Sequence, residues 1–314
     1  MNCINYTYKR VQSSGTPKDA RTHFSLEAMI WVFIPAYNEE HAIEDLLRNI
    51  HELLENKPHQ ILVVDDGSRD ETPNILKRLT QELPLTVMTH TTNRGLGETE
   101  RDGFEYIAWT AEPDDLLVRV EGDGTHGTTY IESLIAKLEE GYDVVNTSRF
   151  QEGGKQMGVN AYRSFISRCA NLFMKVLFGI EGMKDYSCGF RAYRVVVLRQ
   201  AFQLLGSEFL QLRGLGFTST LEIVVKLSLV GCRFAEVPFV LRYDMKQGPS
   251  KMVSSITTLG YLTMAVMHHW PFGGWRQRYR EIGKAFRFDR QKAMRHFAKP
   301  ESKPLNGSTL TCVE

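Results

Sequence analysis

The sequence predicts an α/β protein built on a mostly parallel sheet. Short apolar runs alternate with segments of helical periodicity between residues 31 and 146, which is typical of parallel βαβ units. Two of these runs end in acidic clusters: Asp65 and Asp66 follow 61–64, and Glu121 and Asp123 follow 116–120. Ligands bind beyond the carboxyl ends of parallel strands, so the two clusters predict a binding site at one edge of the sheet.

The predicted elements follow one another along the chain. Strands are expected at 31–34, 61–64, 85–89, 116–120 and 143–146, and helices at 41–55, 72–83, 98–108 and 130–140. Ile43, Leu46 and Ile50 give the first helix its spacing, and Pro73 suits the first turn of the second. After residue 150 we expect a long amphipathic helix at 159–178, a loop at 208–216, a helix at 219–230 and a strand at 234–243 that Pro238 interrupts.

Composition narrows the class of protein. With 314 residues the chain can bury one large core or two modest domains, and its net charge of +1 argues against bulk nucleic-acid binding. The five cysteines are scattered without metal-binding spacing, and no secretory signal is seen, which favours reduced thiols and a cytoplasmic location. No apolar run reaches the length of about 20 residues that a transmembrane helix needs.

The two acidic clusters predict a bound cation. Converging carboxylates repel each other unless positive charge lies between them. A divalent cation that carries a nucleotide diphosphate meets this need, because hard cations take oxygen ligands. The alternative is that each acidic pair ends its strand in a solvated turn.

A series of motifs runs from about residue 31 to residue 252. It comprises Ile-Pro-Ala-Tyr-Asn-Glu-Glu at 34–40, Asp-Asp-Gly-Ser-Arg-Asp at 65–70, Asn-Arg-Gly-Leu-Gly at 93–97, Glu-Gly-Asp-Gly-Thr-His at 121–126, Ser-Arg-Phe at 148–150 and Asp-Tyr-Ser-Cys-Gly-Phe-Arg-Ala at 185–192. The series resembles glycosyltransferase family 2, in its dolichol- or polyprenol-phosphate mannosyltransferase-like branch. The resemblance implies a GT-A fold, a Rossmann-like α/β/α sandwich, with a nucleotide-sugar donor and Mg²⁺ or Mn²⁺ as cofactor.

The donor and metal sites are predicted from the matching positions. Donor-binding residues are expected at Pro35, Tyr37, Glu39, Asp65, Asp66, Gly95, Gly97 and Gly122, and metal ligands at Glu121, Asp123 and Thr125. An aromatic ring such as Tyr37 can stack on a base, and carboxylates accept hydrogen bonds from ribose or base. The glycine loop at 93–97 equally suits a simple turn of the chain. Glu121 departs from the family, which usually has Asp there.

The acceptor site is predicted to bind a phosphate. Arg149, Arg163 and Ser167 match the family's acceptor positions, and Arg163 and Ser167 share one helical face. Lys246 and Lys251 are added from the segment Lys-Gln-Gly-Pro-Ser-Lys at 246–251. Met245, just before it, stands where the family has an arginine, and either Lys246 or Arg242 is a candidate to replace that cation. Asp123 and Arg149 are the predicted catalytic residues. A phosphate monoester is mostly dianionic at pH 7, so no catalytic base is assigned.

The C-terminal part suggests a membrane surface. Residues 254–269 are too short and polar to span a bilayer, and 276–299 combine nine basic residues with interleaved aromatics. The alternative is a basic helix that packs on the domain. The predicted organisation is a flexible extension at 1–29, a GT-A domain at 30–252, a membrane-associating segment at 253–299 and a disordered tail at 300–314.

The leading hypothesis is inverting, metal-dependent transfer of a sugar from a nucleotide donor to a polyprenyl or dolichyl phosphate. GDP-mannose is taken first because the resemblance is to mannosyltransferases. The enzyme would lie peripherally on the cytoplasmic face of a membrane. The rivals are a soluble family 2 transferase acting on a saccharide or small-molecule hydroxyl, and an inactive scaffold subunit.

Overall fold

The computed structural model describes residues 28–125, 127–159, 161–245, 254–299 and 311–313, so the predicted extension at 1–29 lies almost wholly outside it. The strands are β1 (Ile30–Ala36), β2 (His59–Asp65), β3 (Leu85–Thr89), β4 (Leu116–Arg119), β5 (Val144–Ser148), β6 (Lys155–Met157), β7 (Arg191–Arg194), β8 (Phe234–Pro238), β9 (Val240–Arg242) and β10 (Thr311–Val313). The helices are α1 (Ile43–Leu54), α2 (Thr72–Leu79), α3 (Leu96–Thr110), α4 (Tyr130–Glu139), α5 (Ala161–Phe178), α6 (Val195–Leu205), α7 (Thr218–Val230), α8 (Ser254–His269), α9 (Gly274–Arg278), α10 (Arg280–Phe288) and α11 (Arg290–Phe297).

Eight strands form one sheet in the order β10-β3-β2-β1-β4-β7-β5-β8. The run β3-β2-β1-β4 is parallel, and β8 is parallel to β5. The strand β7 is antiparallel to both β4 and β5, and β10 is antiparallel to β3. The short strands β6 and β9 form a separate parallel pair. The predicted mostly parallel sheet is confirmed.

Each face of the sheet is covered by its own hydrophobic core. Along β1, Phe33 faces one core and Ile34 the other. Helices α1, α2 and α4 cover one face, and α3, α6 and α7 cover the other. Strands buried on both sides need apolar residues at every position, which is why β1 and β2 read as continuous apolar runs. The predicted α/β/α sandwich is confirmed.

The strand β7 and the helix α6 were not predicted. The sequence of β7 is Arg-Ala-Tyr-Arg, which lacks the apolar character of the other strands. Its arginines are accommodated by tertiary contacts: Arg191 is fully buried and donates to the Asn146 side chain and to the carbonyls of Tyr186 and Thr220. The predicted interruption at Pro238 is confirmed, because the last residue of β8 is Pro238 and β9 begins at Val240.

The C-terminal helices belong largely to the core. Trp275, Tyr279 and Phe286 are aromatic residues of the segment 253–299, which was predicted to contact a membrane, and they are buried in the same core as α7. The amino group of Lys226 lies 3.7 Å from the centre of the Trp275 ring. The alternative interpretation, a basic segment packed on the domain, therefore applies to α9–α11. Most of the predicted disordered tail lies outside the described residues, but 311–313 depart from it by pairing as β10 with the edge of β3.

Candidate active site

The loops that follow β1 and β2 are joined by hydrogen bonds. The backbone N–H of Asn38 donates to Ser68 Oγ at 2.9 Å, and that of Arg69 donates to Asn38 Oδ1 at 2.8 Å. The N–H of Glu39 donates to Thr72 Oγ1 at 2.8 Å. Asn38 adopts a positive φ of 51°, a conformation that asparagine tolerates better than most residues. Two predicted donor motifs therefore form one surface at the carboxyl end of the sheet.

A close approach at Gly122 brings the third motif to the same place. A Cβ on Gly122 would lie 3.1 Å from the carbonyl oxygen of Pro35 and 3.4 Å from Glu39 Cγ. A larger side chain would push the two loops apart. The predicted donor residues Pro35 and Glu39 thus lie directly against the predicted metal loop at 121–125.

Asp66 is committed to contacts within the protein. Its Oδ1 accepts from the backbone N–H of Arg94 at 2.8 Å and lies 2.7 Å from His90 Nδ1. Its Oδ2 accepts from the N–H of Gly95 at 2.8 Å. Asp66 therefore fixes the loop that begins α3, and its direct contact with a donor stays a prediction.

Asp65 has a different environment. Its Oδ1 accepts from the N–H and the hydroxyl of Ser68, at 3.1 and 2.5 Å. Its Oδ2 is buried and has no hydrogen-bond partner among the described residues. Burial raises the pKa of this carboxyl. A buried acceptor without a partner carries a free-energy penalty, which a hydrogen bond to Asp65 Oδ2 would remove.

His90 links the site to helix α3 and was missed by the sequence analysis. It is buried between Asp66 and Asp102, with Nε2 3.1 Å from Asp102 Oδ2. Burial on its own would lower its pKa, but the two carboxylates outweigh burial and raise the pKa of His90 from 6.5 to about 9. His90 directly follows β3, so the rule that ligands gather beyond strand ends could have found it.

We expect His90 to make stability depend on pH. Because the pKa of His90 is higher in the folded state than in the unfolded state, protonated His90 adds about 3 kcal/mol to the free energy of unfolding. This contribution is fully present below pH 6.5, the ordinary pKa of histidine, and is lost as the pH rises through about 9. The melting temperature should therefore fall by several degrees more between pH 7 and 10 in the wild type than in His90→Gln. The exposed His41, changed to Gln, is the control and should keep the wild-type profile. Parallel profiles for wild type and His90→Gln would contradict the assignment.

The loop 121–125 carries the predicted metal ligands. Asp123 Oδ1 accepts from the N–H of Thr125 at 3.2 Å and from its hydroxyl at 2.6 Å. Glu121 Oε1 accepts from Arg119 Nη1 at 2.9 Å. Thr125 thus orients the carboxylate of Asp123, while Glu121 reaches back toward β4. His126 lies outside the described residues.

The oxygen ligands that this loop offers suit a hard cation. No group of three or more His, Cys, Asp or Glu that could hold a metal occurs among the residues that the structure describes. Two carboxylates on one loop nevertheless match the way Mg²⁺ is usually bound, through one or two carboxylates together with substrate phosphates and water. Glu121 and Asp123 are the residues of this loop that would hold such an ion.

The two glycines at the start of α3 have different roles. A Cβ on Gly97 would lie 2.2 Å from the carbonyl oxygen of Arg213, so this glycine is required for close packing of α3 on the loop at 209–216. Gly95 has a φ of 89° and open space around its Cα. Of the two, Gly95 remains the better candidate for close approach to a donor phosphate.

Arg149 forms a bidentate ion pair. Its Nε and Nη2 each lie 2.7 Å from a carboxylate oxygen of the fully buried Asp185, and Nη2 also donates to Ser187 Oγ at 2.5 Å. Burial would raise the pKa of Asp185, but Arg149 outweighs burial and lowers it. Asp185 therefore presents Arg149 as a fixed cation at the end of β5.

Helix α5 contacts the segment around Asp185. Asn171 accepts from the N–H of Tyr186 at 2.8 Å and donates to the carbonyl of Lys184, which ties α5 to the residues on either side of Asp185. Ser167 precedes Asn171 by one helical turn and is half-buried. The Arg163 side chain, Lys246 and Lys251 lie outside the described residues, so their part in an acceptor site stays a prediction.

Comparisons with known proteins identify the family of this chain. The family model described as "Glycosyl transferase family 2" matches residues 31–202. The chain is 31% identical over 222 residues to a dolichol-phosphate mannosyltransferase of Pyrococcus furiosus, covering 70% of this chain and 58% of that protein. It is 33% identical over 172 residues to an undecaprenyl-phosphate 4-deoxy-4-formamido-L-arabinose transferase of Shewanella sediminis, covering 54% of this chain and 49% of that protein.

Solved structures agree on the fold. Glucosyl-3-phosphoglycerate synthase of Mycobacterium tuberculosis, determined with Mn²⁺, UDP and glucosyl-3-phosphoglycerate, superposes with a TM-score of 0.52 at 16% identity, covering 81% of this chain and 85% of that one. The architecture is the GT-A fold, and the chain belongs to glycosyl transferase family 2. It spans roughly half the length of the curated relatives that it matches, at 58% and 49%.

Proposed function

We propose that this protein transfers a sugar from a nucleotide-sugar donor to a polyprenyl phosphate, with inversion and with Mg²⁺ or Mn²⁺. The observation that carries the proposal is the contact at Gly122, where the loop of Glu121 and Asp123 lies against Pro35 and Glu39. The names of two relatives, which are polyprenyl-phosphate sugar transferases, support the acceptor class. Mannose from GDP-mannose is the first donor to test, because one of those relatives is a mannosyltransferase.

The residues divide the work of binding. Tyr37, Glu39 and Asp65 would hold the nucleoside, and Glu121 and Asp123 would hold the cation. When bound, that cation offsets the charge that builds on the departing diphosphate. The acceptor phosphate oxygen attacks the anomeric carbon as the bond from that carbon to the diphosphate oxygen breaks, and the nucleoside diphosphate leaves with the electron pair.

Arg149 would position the acceptor. Its guanidinium is fixed by Asp185 and Ser187, and a prearranged cation binds phosphate oxygens with little loss of side-chain freedom. A phosphate dianion is already nucleophilic at pH 7, so the reaction needs positioning and charge screening instead of a base.

The experiment that tests the function is an acceptor comparison. Purified protein is incubated with Mn²⁺ and a panel of nucleotide sugars, once with a short polyprenyl phosphate and once with the matching polyprenol. We expect transfer to the phosphate alone. Equal turnover on the free alcohol would favour a hydroxyl-acceptor transferase, and no transfer from any donor would overturn the proposed activity.

We further propose that the protein lies on the cytoplasmic face of an anionic membrane through α5 and α8. Apolar side chains are exposed along both helices: Phe165, Leu172, Phe173 and Val176 on α5, and Ile256, Leu259, Leu262 and Val266 on α8, followed by Trp270 and Phe272. The helices adjoin at their C-terminal ends, where His269 Nε2 lies 2.8 Å from the carbonyl of Leu177. Among the described residues, no helix is both long and apolar enough to cross a bilayer.

The charge and the position of the apolar face on α5 and α8 support a lipid surface as its partner. The helix α8 contains no Asp, Glu, Lys or Arg, and α5 contains basic residues but no acidic ones. Such a face suits anionic headgroups and the acyl boundary. Because α5 also contacts the segment that holds Asp185, the face would lie next to the proposed acceptor site.

We expect Val176→Asp combined with Leu259→Asp to weaken binding to vesicles with anionic lipids by on the order of a hundredfold. Each aliphatic side chain that becomes buried in the lipid contributes about 1.5–3 kcal/mol to binding. Cosedimentation measures the effect. The matched control is Phe288→Asp, because Phe288 is 90% exposed but lies on α10. Unchanged binding of the double variant, or an equal loss in the control, would show that the membrane contacts another surface.

A further inference from the structure

A buried arginine lies directly beneath the proposed metal loop. Arg119 is the last residue of β4, and its side chain is 2% exposed. Its Nη1 lies 2.9 Å from Glu121 Oε1, and its Nη2 lies 3.0 Å from Glu100 Oε1. One guanidinium therefore connects a carboxylate of the site with a carboxylate inside the core.

The inner carboxylate is fixed by neighbouring hydroxyls. Glu100 on α3 accepts from Ser219 Oγ at 2.6 Å and from Thr220 Oγ1 at 3.1 Å, both on α7. Glu100 is itself fully enclosed, with 1% of its side chain exposed. Because Glu100 cannot move without breaking these bonds, it sets the position of the Arg119 guanidinium.

A second, independent observation is the absence of a side chain at Gly189. A Cβ there would lie 2.1 Å from Arg119 Nη1 and 2.6 Å from Glu121 Oε1. Those two atoms are the ones that form the ion pair. Any larger residue at position 189 would therefore push the pair apart, although it would leave both charges in place.

We propose that Arg119 is a positioning residue that holds the Glu121 carboxylate in the metal loop, and that Gly189 provides the space in which the two side chains meet. The inference rests on the proposed function, because it takes this loop to face a metal-bound nucleotide diphosphate. It also gives a reason for glutamate at this position. An aspartate would end one carbon–carbon bond, about 1.5 Å, short of the guanidinium, beyond hydrogen-bond reach.

The pairing makes a specific prediction about coupling between residues. In the wild type, Glu121→Asp removes one of the two carboxylate partners of the buried Arg119 guanidinium, so the carboxylate at position 121 loses its support and the loop loses its geometry. With Arg119→Met already in place, the same change removes no ion pair. The two substitutions should therefore be strongly non-additive, as contacting residues are.

The test measures binding of Mn²⁺ with GDP, and separately with UDP, by calorimetry, and of Mn²⁺ alone by electron paramagnetic resonance. For the nucleotide that binds, we expect Glu121→Asp to weaken affinity at least fivefold in the wild type and less than twofold in the Arg119→Met background. The control is Arg199→Met, which removes an arginine that donates to backbone carbonyls at the far end of α3 and should leave affinity unchanged.

Gly189→Ala provides a second route if Arg119→Met fails to fold. It leaves the buried charges in place, and we expect it to weaken affinity at least fivefold. Equal effects of Glu121→Asp in both backgrounds, or unchanged affinity in Gly189→Ala, would overturn this inference alone. A wild type that binds neither Mn²⁺ with GDP nor Mn²⁺ with UDP would overturn it together with the proposed function.

Discussion

Replacing Asp123 by alanine is expected to lower the rate of sugar transfer by on the order of a thousandfold. The carboxylate is one of two that would hold the cation against the diphosphate, and loss of electrostatic stabilisation at a leaving group has effects of this size. A radiochemical transfer assay with polyprenyl phosphate measures the change. A chelator should lower the rate of transfer by the wild type as much as Asp123→Ala does.

Two further variants separate charge from structure. Asp123→Asn keeps an acceptor for the N–H and hydroxyl of Thr125 but removes the negative charge, so it should fold normally and still lose transfer. Asp114→Ala removes an exposed carboxylate at the opposite end of β4 and should have no effect. Wild-type turnover in Asp123→Asn, or turnover that resists chelation, would refute the metal role.

The second large effect is expected at Arg149. Arg149→Ala should lower kcat/KM for the lipid acceptor by about a hundredfold and leave affinity for the donor nearly unchanged, because a charge-assisted contact contributes roughly 1.5–3 kcal/mol. It should also destabilise the fold by about 3–5 kcal/mol, since the carboxylate of Asp185 is left buried without its cationic partner. Steady-state kinetics and denaturant unfolding measure the two effects.

A double variant separates them. Arg149→Met with Asp185→Asn removes both charges, so stability should largely return while transfer does not. Arg149→Lys keeps the charge without the two-pronged geometry and should recover activity in part. If the double variant regains transfer along with stability, Arg149 serves the fold and the acceptor phosphate is bound elsewhere.

The sequence predicted the parts of the site that follow from strand order. Parallel strands end at one edge, so the pattern of apolar runs was enough to assign the acidic residues after β2 and β4 to one surface. The same pattern could not predict how those residues are used within the protein. Asp66, His90 and Arg94 meet because β3 lies beside β2, and such pairings depend on tertiary contacts that leave no local pattern.

The C-terminal segment shows the same limit. Its basic and aromatic residues suit a membrane surface by composition, yet Trp275, Tyr279 and Phe286 are buried against α7. The exposed apolar side chains lie on α8, which is part of the predicted membrane-associating segment, and on α5, which was predicted only to be amphipathic. Periodicity reports that a helix has an apolar side; it does not report whether the rest of the chain covers that side.

The position of α9–α11 in the chain has a consequence for synthesis. These helices complete the core on the α7 face, and Ala293 of α11 is fully buried there. During translation the residues that they cover, such as those of α7, emerge before the helices themselves, so this core stays open until residues 274–297 have been made. Until then the apolar residues of α7 that these helices cover are exposed to solvent, and exposed apolar surface promotes aggregation of the nascent chain.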